Sequence, residues 1–170
     1  PLMFASLVVG VAASQASRHE VLIAGVAGLV AGALSMAAGE YVSVRSQREM
    51  FEYQIGLEKE ELDHYPEEET EELALIYQAR GLPREDAMRL ATQLTADPAQ
   101  ALDTLAREEL GLNPDDLGSP WGAALFSFGA FAAGASIPLL PFLFAGGGRG
   151  MTIAIALTAG SLFVVGATLS

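Results

Sequence analysis

Apolar residues fill both ends of the 170-residue chain and polar ones crowd its middle. Residues 21–44 are apolar throughout except for Ser35, Ser43 and one charge, Glu40. As a helix at ~1.5 Å per residue that stretch reaches about 36 Å, enough to cross the hydrocarbon of a bilayer. Residues 119–144 and 151–169 form two more apolar stretches, with Trp121 at the entry of the first and Pro138 and Pro141 near its exit. Between them, residues 145–150 are Gly-rich and read as a turn. The first run, residues 2–13, falls short of the roughly 20 residues that a span requires. Two readings of it stand. One is a signal-peptide core followed by the small residues 12–17, the other a membrane helix whose start lies before Pro1.

No proline interrupts residues 21–65, so the second helix should continue beyond its apolar part as a rod and stop at Pro66. Shorter helices then follow. Residues 66–80 end at Gly81, residues 83–94 begin at Pro83, and residues 98–110 begin after Asp97 and stop before Gly111. Asn113-Pro114-Asp115-Asp116 reads as a turn, and no stretch alternates as a strand would. The predicted fold is all-α: a multi-span transmembrane helix bundle with an inserted helical domain. Its parts are residues 1–53 (a partial first membrane helix and a second), 54–117 (the domain) and 118–170 (a third and fourth). Gly28 and Gly32, like Ser35 and Gly39, are spaced to give small faces for close helix contact.

Charge divides the chain along the same lines. Residues 54–117 hold seventeen acids and five bases, a balance of −12 that equals the formal charge of the whole chain. With no basic patch to neutralise phosphates, nucleic acid is excluded as a partner. Arg45 and Arg48 close the apolar stretch, with Tyr41 at its edge, which predicts a cytoplasmic side there and lipid contact along the spans. The acidic domain would then be cytoplasmic, and the Ala- and Gly-rich composition points to a bacterial plasma membrane. Cysteine is absent, so a metal would have to be held by carboxylates, histidine or methionine, a set that suits hard or borderline divalent ions.

On helical wheels of about 100° per residue, Glu58 and Glu61 lie about 60° apart, on the side of Phe51, Ile55, Leu62 and Tyr65. Glu69 and Glu72 share the side of Leu73, Ile76 and Tyr77, and Glu109 falls among Leu102, Leu105, Ala106 and Leu112. Glu60, Glu67, Glu71, Asp103 and Glu108 drift away. Five carboxylates therefore face the seam that these helices must bury. Either they are protonated there or a cation completes them, since buried unpaired charge is unfavourable by several kcal/mol. The competing reading is a solvated acidic face.

Two other features could bear on a metal. Met36 and Glu40 stand one turn apart on the same side of the membrane helix, and an ionisable residue in a span is a functional candidate. A thioether beside a carboxylate favours Fe²⁺ or Mn²⁺ over Ca²⁺ or Mg²⁺. Glu61-Leu-Asp-His64 matches the Glu-x-x-His ligand pattern of di-iron bundles, but it occurs once where such a bundle uses it twice. That leaves a membrane-anchored di-iron oxidase or store as the enzymatic alternative. A structural anchor whose acidic domain docks a basic partner is another.

The run Ser35-Met-Ala-Ala-Gly-Glu-Tyr-Val-Ser-Val-Arg-Ser-Gln-Arg-Glu49 resembles the signature of the vacuolar iron transporter family. The spaced glutamates after it, Ile76-Tyr-Gln-Ala-Arg-Gly81, Glu108-Glu-Leu-Gly111 and Ile137-Pro-Leu-Leu-Pro141 follow in the family's order. The resemblance implies a dimeric, five-span carrier, not an enzyme and without an organic cofactor. It would export cytosolic Fe²⁺, often Mn²⁺, in exchange for protons; Zn²⁺ is a further ion that the carboxylates themselves could hold. It implies domain ligands at Glu58, Glu61, Glu69, Glu72 and Glu109, a pore methionine at Met36, and a pore-lining place for Glu40. It also implies a first-span aspartate before Pro1 and a fifth span after Ser170, so the residues given are expected to bind metal rather than complete its transport. Where some members have methionines a turn before the last glutamate, this chain has Leu105 and Ala106, which implies an oxygen-only donor set.

Overall fold

The computed structural model describes the backbone of residues 2–169 and, apart from residues 2, 147 and 169, their side chains. Among these residues every regular element is helical: α1 (Leu2–Ala13), α2 (Arg18–His64), α3 (Pro66–Ala79), α4 (Arg84–Leu94), α5 (Pro98–Glu108), α6 (Pro120–Phe144) and α7 (Gly147–Leu169). The chain divides into two compact units, Pro1–Val42 with Pro120–Ser170, and Ser43–Ser119. Three helices, Arg18–His64, Pro120–Phe144 and Gly148–Thr168, are long and apolar enough to cross a membrane. In α2 the apolar part is residues 21–44.

The first unit packs around Phe4, Val8, Val21, Ala135, Leu139, Phe142 and Ala154. The short helix α1 belongs to this cluster and lies against α6 and α7. Glycines let neighbouring side chains come close. A Cβ on Gly32 would sit 2.5 Å from the Phe131 ring, and one on Gly25 would sit 2.1 Å from Leu139. Gly39 faces open space, so the Gly28–Gly32 face is used for packing and Gly39 is not. At the end of α6, Arg18 donates from Nε to the Phe142 carbonyl over 2.7 Å and from its terminal amino group to the Leu143 carbonyl, satisfying two groups that a helix end leaves free. Phe126, Phe144 and Phe163 are each more than three-quarters exposed, as residues facing lipid or another membrane helix would be.

The turn expected at residues 145–150 is partly helical, because α7 already begins at Gly147. The reason is steric. A Cβ on Gly150 would lie 2.7 Å from the Ala145 carbonyl oxygen, so a glycine there lets the helix start directly beneath that carbonyl.

In the second unit Tyr65 precedes Pro66 and leaves the helical region (φ −133°, ψ 50°), which ends α2 and lets Pro66 open α3. Tyr65 is consequently exposed and does not join the seam. Asp97 accepts from the Ala99 N–H over 3.0 Å and caps α5. Pro83 is the N-cap of α4, and α5 ends at Glu108, two residues before the expected stop, with Glu109 as its C-cap. The core is small and alanine-rich: Leu62, Leu73, Ala74, Ala87, Ala91, Ala101 and Leu105. Each leucine among them stabilises the unit by about 1.5–3 kcal/mol, and the alanines let the short helices approach closely.

Candidate metal centre

Three glutamates of the second unit each stand one helical turn from a buried leucine of its core. Glu58 precedes Leu62, Glu69 precedes Leu73, and Glu109 follows Leu105. Burying the three leucines together therefore carries three carboxylates to one edge of the core. One oxygen from each lies within 4.8 Å of the others. Glu58 is 2% exposed and Glu69 6%, whereas Glu109 is open to solvent. Among the described residues, Glu58 Oε1 is buried without a hydrogen-bond partner.

The electrostatics follow from this placement. Burial, then the carboxylates of Glu109, Glu69 and Glu61, push Glu58 up to about 7. Burial, then Glu72 and Glu61, raises Glu69. Burial, then Glu72, Glu69 and Glu61, raises Glu109. Glu61 and Glu72 are themselves exposed, so they form a charged rim rather than part of the buried seam. Three residues of helix after Glu58 fall short of a full turn, which leaves Glu61 at the edge of the buried stripe. The ion pairs of this unit run elsewhere: Arg45–Glu49, Arg48–Glu52, Arg80–Glu108, Arg89–Asp86, and Arg107 with Asp103 and Asp115.

Metal–oxygen bonds of about 2.0–2.6 Å place ligand oxygens no more than about 5 Å apart, so the three carboxylates fit around one divalent cation. Leu105 and Ala106, a turn before Glu109, are fully buried and offer no soft donor there. His64 has Nδ1 2.7 Å from the Glu60 carbonyl oxygen and joins no ligand cluster among the described residues. Met36 and Glu40 belong to the first unit, where they line one groove of about 440 Å³ with Phe126, Ser127 and Phe131. Ser127 was not singled out by the sequence, because a serine in an apolar helix carries no pattern by itself. Arg80 and Tyr77, part of the Ile76–Gly81 run, hold Glu108 beside Glu109, a link that the sequence does not show.

The VIT family model matches residues 2–170. This chain belongs to the VIT family. It is 47% identical over 133 residues to a vacuolar iron transporter of Acanthamoeba castellanii, covering 78% of this chain and 50% of that protein. It is 31% identical over 162 residues to vacuolar iron transporter 1 of Arabidopsis thaliana, covering 95% and 65%. With vacuolar iron transporter 2 of Oryza sativa subsp. japonica it shares 30% over 163 residues, covering 95% and 66%. The chain thus spans half to about two-thirds of the length of these VIT relatives.

Proposed function

We propose that this chain is part of a membrane carrier for divalent iron, with Mn²⁺ as a second cargo, and that its acidic unit captures the ion before transfer. The observation that carries this reading is Glu58 Oε1, buried and unpartnered within a triad of carboxylates whose nearest oxygens lie within 4.8 Å of one another. An arrangement of that kind is unfavourable without a cation or protons. The names of the VIT relatives supply the transported metal, and the three long apolar helices supply the membrane.

Glu58, Glu69 and Glu109 bind the ion, while Glu61 and Glu72 at the rim draw it in. Because Glu58 titrates near neutrality, metal and protons compete for the same oxygens, which links uptake to pH. Arg45 and Arg48, at the end of the apolar stretch, support a cytoplasmic side for the acidic domain of residues 54–117. Met36 and Glu40 receive the ion within the membrane part, where exposed apolar faces also suit a second copy of the chain. Oxidase chemistry has less support, since His64 stands apart from the carboxylate cluster and the relatives are named as transporters.

The test is Fe²⁺ and Mn²⁺ flux into proteoliposomes carrying the full-length protein under an opposing proton gradient. Saturable flux that falls when Glu58 and Glu69 are changed to glutamine supports the proposal. Absence of flux ends it.

A further inference from the structure

Arg80 is the C-cap of α3, and Gly81 after it adopts φ 102°. The Gly81 N–H reaches the Gln78 carbonyl and the Leu82 N–H reaches the Tyr77 carbonyl, a helix ending that glycine accommodates without strain. This ending fixes where the Arg80 side chain leaves the helix. Its guanidinium pairs with Glu108 Oε2, and the guanidinium carbon lies 5.8 Å from the Tyr77 ring centroid. Tyr77 Oη donates to Glu108 Oε1 over 3.5 Å. Tyr77 of α3 and its C-cap Arg80 thus hold both oxygens of the residue immediately before Glu109.

The same helix α3 carries Glu69, and Glu109 is the C-cap of α5, so a bridge between these helix ends sets how Glu109 stands against Glu69. We infer that Arg80 is the positioning residue of the acidic centre: by holding Glu108 it aims Glu109 at Glu58 and Glu69. Its own charge is meanwhile engaged one residue away from the three oxygens. The inference rests on the reading of that centre as a metal site.

Positioning and simple electrostatics predict opposite signs. Removing a cation near a cation site should tighten metal binding, whereas losing the aim of Glu109 should weaken it. The bridge is half open to water, with side chains 51% and 26% exposed, so it contributes little to folding and its variants should fold.

The test is calorimetric titration of the whole chain in detergent with Mn²⁺, alongside helix content and thermal melting. Arg80→Gln should weaken binding about tenfold, the scale for losing a residue that orients a ligand. Arg80→Lys should retain part of the affinity, and the swap Arg80→Glu with Glu108→Arg should restore most of it, with melting unchanged throughout. Binding by Arg80→Gln as tight as the parent's, or tighter, overturns the positioning role and leaves the metal site standing. So does a swap that stays as weak as Arg80→Gln. A parent chain that takes up no Mn²⁺ saturably overturns the metal site itself, and this role with it.

Discussion

Glu58 of α2 and Glu69 of α3 are both buried, yet they hold carboxylate oxygens within 4.8 Å of each other. The leucines one turn beyond them, Leu62 and Leu73, belong to the same core and keep the two acids together. Above neutral pH and without metal, the charge on Glu58 opposes folding by about 3 kcal/mol, taken from its rise to about 7. Glu58→Gln should therefore raise the melting temperature of the metal-free chain while lowering Mn²⁺ affinity by about tenfold or more. Glu61→Gln, at the exposed rim, should lower affinity less and leave melting nearly unchanged. Thermal melting and calorimetry on the same samples check both.

The pH dependence has a definite sign. Glu58 titrates near 7 in the folded chain against 4.5 ordinarily, so its contribution to stability is complete below 4.5 and lost as pH rises through about 7. Glu69 and Glu109 shift in the same direction, pressed by burial and by Glu61 and Glu72. Asp103, held down by Arg107, acts only below the ordinary carboxylate range. Melting of the metal-free chain should fall between about pH 5 and about pH 8, and saturating Mn²⁺ should remove the fall. A metal-free melting temperature that climbs over this range would contradict the arrangement.

In the first unit, Gly150→Ala should destabilise the bundle by about 1–3 kcal/mol, since the added carbon meets the Ala145 carbonyl and no flexible side chain can yield. Gly160→Ala, with nothing within 4 Å of the new carbon, should be neutral or slightly stabilising. Unfolding in mixed detergent micelles, followed by circular dichroism, compares the two.

Asp97→Ala should cost about 1 kcal/mol through loss of the α5 cap. Mn²⁺ affinity should change little, because the cap lies at the far end of α5 from Glu109. Melting and titration of this variant separate general destabilisation from damage to the centre.

Much of the carboxylate cluster is legible in the sequence. Helical periodicity picked out Glu58, Glu69 and Glu109, since a 3.6-residue repeat ties each to a leucine that has to be buried. The same wheels placed Glu61 and Glu72 on the seam, but both are exposed. A wheel gives an angle and not the width of the neighbouring helix, so residues at the edge of a stripe are not resolved by it. Glu108 falls off the stripe on the same wheel. Its partners, Arg80 and Tyr77, lie about thirty residues earlier, and no local pattern links them.

The sequence alone determined the helices, their apolar and acidic division, and the family, because these depend on short-range spacing and composition. Only the tertiary structure decided which three of the five acids converge, that Glu58 Oε1 is left without a partner, and that Arg80 turns to Glu108. Those outcomes depend on how separate helices pack against a shared core, and distance across a core is not written in the order of residues along the chain.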